Sequence, residues 1–130
     1  MKILTIRTDK PEAEVGIFED EKQLEYLKWE AHRELSMTLL DKINEILNKS
    51  SIGREELEGI VVFKGPGSFT GLRIGISVAN ALAYGLGILV VSADKDNWIN
   101  DGVHKLKSGE NEKIALPEYG APAATTPPKK

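Results

Sequence analysis

The four apolar residues Ile60-Val61-Val62-Phe63 run without a polar break almost into Gly65-Pro66-Gly67, and a helical pattern begins directly afterwards. A continuous apolar run suits a strand covered on both faces, where a half-exposed strand would alternate. Pro66 carries no amide hydrogen and glycines flank it, so the strand stops there. Ser68 can then accept a bond from a backbone amide and cap a helix running from Phe69 to near Gly85. Ile88-Leu89-Val90-Val91 supplies a second buried strand beyond it. Strand, helix and strand in that order make a crossover unit, which sets its strands parallel.

Upstream the periods differ. Ile3, Leu4 and Ile6 suit a short first strand, and Glu14 to Phe18 alternates with Val15 and Ile17 to one side. Gln23 to Trp29, with Leu24, Tyr26, Leu27 and Trp29, reads as a third strand, joined to the second by a turn at Asp20-Glu21-Lys22. From Leu35 the pattern becomes helical: Leu35, Leu39, Leu40, Ile43, Ile46 and Leu47 share one side. A further helix is expected over Asp94 to Leu106, with Trp98, Ile99, Val103 and Leu106 inward. Three strands at meander spacing, then helix, strand, helix and strand, is the order of an α/β, RNase H-like half-domain with a mixed five-stranded sheet, although other α/β folds share it. Residues 1–116 are expected to form this domain. Residues 117–130, rich in Pro, Ala, Thr and Lys, read as a flexible tail.

Composition narrows the chemistry. The chain has 130 residues, 41% hydrophobic and 28% charged, which suits one domain with a real core. Cysteine is absent, so disulfides, thiolate metal sites and cysteine nucleophiles are excluded. The net charge is −3 and Lys and Glu are interleaved, so no basic stripe for nucleic acid is visible and any RNA role would run through a partner. The N-terminus does not read as a signal peptide and no apolar run spans a bilayer, so a cytoplasmic protein with no membrane contact is expected.

The helix from Phe69 is apolar over too wide an arc. Thr70, Arg73, Ser77, Asn80 and Tyr84 form a narrow polar strip, and the rest is apolar or small. Gly71, Gly75, Ala79 and Ala83, four apart, make a ridge along which another backbone could approach. Either the helix is sandwiched inside its own domain, or one side of it, with part of the first helix, meets another subunit. The second reading is preferred, because so short a chain has little else to cover that side. It assigns Leu39, Ile43, Gly71, Leu72, Gly75, Ile76, Ala79 and Ala83 to a partner interface. A charge at Ala79 would then break assembly and leave the fold intact.

No residue set points to catalysis. The loop at Gly65 lacks the lysine of a phosphate loop, and Thr70 stands where a dinucleotide fingerprint needs its third glycine. His32 and His104 are far apart and in no metal-binding pattern, and no nucleophile elbow surrounds a serine. No catalytic residue, cofactor or metal is assigned.

The run Gly65-Pro66-Gly67-Ser68-Phe69-Thr70-Gly71-Leu72-Arg73, with Ile74-Gly75 and the alanines up to Ala83, resembles the signature of the TsaB family. Leu39-Leu40, Ile43 and Ile46-Leu47, with His32 before them, are similar to that family's first helix, and the resemblance covers roughly residues 1–91. It implies an RNase H-like fold of the actin and hexokinase type. It also implies a non-catalytic scaffold or activator that pairs with the catalytic subunit TsaD through its first two helices. A further ATPase subunit, TsaE, joins that complex, which places threonylcarbamoyl on an adenosine next to the anticodon of tRNA; tRNA would be met only indirectly. A homodimer is a further option when TsaD is absent. The alternative is an independent nucleotide-binding or hydrolytic enzyme of the same superfamily. Two departures stand out: Arg7-Thr8-Asp9 puts a cation where the family carries an acidic turn, and residues 92–116 are too few for the family's second half-domain.

Overall fold

A computed structural model describes residues 1–118. Five strands and three α-helices are formed among them: β1 (Lys2–Arg7), β2 (Glu12–Glu19), β3 (Lys22–Glu30), α1 (Leu35–Ser50), β4 (Gly59–Phe63), α2 (Phe69–Leu86), β5 (Leu89–Ala93) and α3 (Trp98–Lys107). The sheet order is β3-β2-β1-β4-β5. The first three strands are antiparallel, while β4 and β5 join β1 in parallel. The mixed sheet of an RNase H-like half-domain is thus present.

The central strands are apolar on both sides because both sides are covered. β4 is buried along its whole length. α2 and α3 both lie across β4 and β5, so they occupy opposite faces. α1 rests on β2 and β3 and touches α2. Ile3, Leu4, Ile60, Val61 and Leu72 are fully inaccessible, and Phe63 meets Trp98 edge to face at 5.6 Å.

The boundaries follow local chemistry. Ser68 caps α2, its hydroxyl accepting from the Gly71 amide at 3.4 Å, and Gly87 ends that helix in the left-handed region. α3 begins at Trp98 and not at Asp94, because Lys95 adopts a left-handed turn (φ 67°) that no helix continues through. Leu40, expected inward on α1, is instead 45% exposed. After α3 the chain folds back along the outer edge of β5. Asn111 Oδ1 accepts from the Val90 amide, the Glu112 amide donates to Val90 O, and the Glu112 carboxylate accepts from the Ser92 amide and hydroxyl. Asn80 on α2 then holds Ala115 through two bonds, and the Glu118 amide donates to Lys64 O at 2.7 Å. Pro117 and Glu118 therefore adjoin the folded body. The remainder of the expected tail lies outside the described residues.

Candidate partner-binding site

The small-residue ridge of α2 faces inward. Leu39, Leu72 and Ala79 have no accessible surface, Ile43, Ile76 and Ala83 retain only a few per cent, and Gly75 is buried. Seven of the eight residues expected at an interface thus pack inside the chain's own body, and Gly71 is half-buried. The backbone that the glycines admit belongs to the turn after β1. A methyl group at Gly71 would collide with Thr8 O, one at Gly75 with Thr8 Oγ1, and one at Gly67 with Asp9 Cβ. Thr8 is buried and donates its hydroxyl to Gly71 O at 2.7 Å, while the Ser68 amide donates to Asp9 O. The close approach anticipated from the spacing is real, but it joins two parts of one chain.

The outward residues of the two helices form a different set. Met37 and Leu40 on α1 are 75% and 45% exposed, and Tyr84 on α2 is 91% exposed. Ser77 and Ala81 are also exposed on α2, with Ile74, Val78 and Leu82 partly buried. At 100° per residue, Ile74, Val78 and Leu82 lie along the flank of α2. Met37 sits on the outer side of α1, away from the buried stripe, and Leu40 sits at the border of that stripe. Tyr84 lies on the other flank, in the strip with Ser77 and Asn80 and beside Gly87, Asn111 and Lys113. Met37 gave no signal in the sequence because a single exposed methionine has no periodic companion; plotting it opposite Leu35 and Leu39 would have shown it.

Beside the first turns of α1 and α2 lies a cavity of about 560 Å³, walled by Lys10, His32, Arg33, Leu35, Thr70 and Ile74 among others. The segment after β1 and the one before α1 are held together here, since the Ala31 and His32 amides both donate to Pro11 O. His32 Nε2 lies 3.1 Å from Glu30.

The family's acidic turn is occupied differently. Arg7 forms two bonds with the buried carboxylate of Asp9, at 2.8 and 3.1 Å, and its guanidinium sits 3.9 Å over the Phe63 ring. Burial works against the Arg7 charge, but the Asp9 bond and attraction outweigh it and hold the guanidinium above its ordinary pKa. Asp9 is thereby neutralised by a permanent neighbour. Among the described residues no group of three potential metal ligands is assembled, and no helix is long and apolar enough to cross a membrane.

Residues 29–94, about half of the chain, match the family model described as TsaD: tRNA N6-adenosine threonylcarbamoyltransferase. The chain is 31% identical over 86 residues to the tRNA threonylcarbamoyladenosine biosynthesis protein TsaB of Haemophilus influenzae, covering 66% of this chain and 36% of that protein. It is 35% identical over 89 residues to the protein of the same name from Bacillus subtilis, covering 68% and 38%. Among solved structures it resembles YeaZ from Pseudomonas aeruginosa, with a TM-score of 0.67 and 25% identity over 72% of this chain and 43% of that one. The chain thus spans little more than a third of the length of these curated relatives. Family model, relatives and fold agree that this chain belongs to the family the TsaD model describes, and within it to the TsaB proteins.

Proposed function

We propose that the chain serves the biosynthesis of threonylcarbamoyladenosine in tRNA as a non-catalytic subunit that docks a TsaD-type partner. The docking surface is the outward face of α1 and α2. The observation that carries this reading is the exposure of Met37 and Leu40 on α1, together with the exposed Ala81 and the partly buried Ile74, Val78 and Leu82 on α2, in a TsaB-family chain. Large apolar side chains exposed on neighbouring elements mark a surface that gains free energy when covered. The non-catalytic role is supported by the Arg7–Asp9 pair, which places a fixed cation on the carboxylate that follows β1.

The test is calorimetric titration of the chain with the TsaD subunit of the same organism, beside the double variant Met37→Asp/Ala81→Asp. Both positions are exposed, so the variant should fold normally. Two charges in the desolvated centre of an interface should weaken binding by about a hundredfold or more. Unchanged affinity would remove this face from consideration. Saturable ATP binding or ATP turnover by the chain alone would instead favour an independent nucleotide-binding or hydrolytic enzyme.

A further inference from the structure

We propose that residues 110–118 form a latch that keeps β5 from pairing with the β5 strand of a second copy of this chain. The backbone amides and carbonyls of Val90 and Ser92 lie on the outer edge of β5, and all four are taken by residues that follow the strand. Asn111 Oδ1 accepts from the Val90 amide at 3.2 Å, and the Glu112 amide donates to Val90 O at 2.9 Å. The Glu112 carboxylate accepts from the Ser92 amide and hydroxyl at 2.9 and 2.8 Å, and Lys105 Nζ donates to Ser92 O at 2.8 Å. These groups satisfy the edge as a sixth strand would. The latch lies past residue 94, where the match to the family model ends.

β5 needs a cover because nothing in its own sequence repels another strand. No residue from Leu86 to Ala93 is charged, and Ile88, Val90 and Val91 favour extended backbone. The opposite edge strand, β3, carries Lys22, Glu25, Lys28 and Glu30. Charged side chains and covering segments are two of the means by which sheet edges are protected, and each edge of this sheet uses one. A second copy is the occupant that β5 fits. In antiparallel pairing centred on Val91, Val90 faces Ser92 and Leu89 faces Ala93, with no like charges opposed. The latch is held by polar bonds more than by apolar burial: Ala115 is buried, but Ile114 and Leu116 are 67% and 68% exposed. Removing the Asn111 and Glu112 side chains should therefore free the edge and leave the core intact.

The experiment compares the full chain with Asn111→Ala/Glu112→Ala and with Glu112→Gln, by hydrogen exchange and sedimentation velocity over a range of protein concentrations. In dilute solution the Val90 and Ser92 amides of Asn111→Ala/Glu112→Ala should exchange about tenfold faster or more than in the parent, while the β1 and β4 amides stay protected. As concentration rises, this variant should gain a pairing step that the parent lacks, and the same two amides should slow again. Glu112→Gln keeps an acceptor for the Ser92 amide and should behave as the parent does. Should the double variant fail to fold, Glu112→Ala alone gives the same readouts. Faster exchange at Val90 and Ser92 with no change of size overturns the proposal, and so does association that leaves those amides fast. Unchanged exchange at both amides overturns it too, since the edge would then be closed by other groups.

Discussion

Thr8 decides what the glycines of α2 are for. Its side chain and carbonyl lie against Gly71 and Gly75, so the helix can approach the turn after β1 only where no Cβ intervenes. The spacing of four was legible in the sequence as a demand for a close neighbour. Which neighbour was not, because a ridge of small residues looks the same whether its partner is the same chain or another. Ala79 belongs to that inward side and has no accessible surface. Ala79→Arg should therefore unfold the chain and not merely block assembly: an unpaired buried charge costs several kcal/mol, a large share of the stability of a small domain. Urea denaturation should show a cooperative transition for the parent and none for the variant. A soluble Ala79→Arg chain of parental stability would mean that α2 is seated differently.

Among the elements, the segment after α3 was the least legible. It has no hydrophobic period, and it is held by side-chain bonds to backbone groups that leave no pattern in a sequence. Asn80 illustrates the difficulty. On a helical wheel it belongs to a polar strip, yet its amide is tied to both backbone groups of Ala115, at 3.1 and 2.8 Å. Asn80→Ala should lose about 1–2 kcal/mol for two partly buried bonds, and the loss should be local. Hydrogen exchange is the suitable measurement: the Ala115 amide should exchange faster in the variant, while the β1 and β4 amides stay protected. The strands and α1 and α2 were read at nearly their observed positions because period and turn residues agreed there. α3 was read too long because a left-handed lysine has no sequence mark.

At the scale of the molecule, alkaline pH offers a check on the sheet face carrying β1, β2 and β3. Tyr26 Oη donates to Glu14 Oε1 at 2.5 Å, and burial first, then that bond, pushes the phenol well above its ordinary pKa. An unfolded tyrosine ionises near pH 10, roughly, while the folded one keeps its proton. Above that pH the unfolded chain binds fewer protons than the folded one, so stability falls as pH rises, and below it the contribution is fully present. Tyr26→Phe should cost about 1–2 kcal/mol at neutral pH, and its urea midpoint should fall less steeply than the parent's through about pH 10. The two edges of the same sheet have a consequence for crowding. On β5, Val90 N, Val90 O and Ser92 N are taken by Asn111 and Glu112, and Lys105 Nζ donates to Ser92 O at 2.8 Å. β3 pairs only with β2, and its other edge carries Lys22, Glu25, Lys28 and Glu30. Fibre growth by strand addition needs two open ends on every unit. The described residues leave one, so stacking through this sheet would stop at a pair, and overproduction should not seed filaments from the native state.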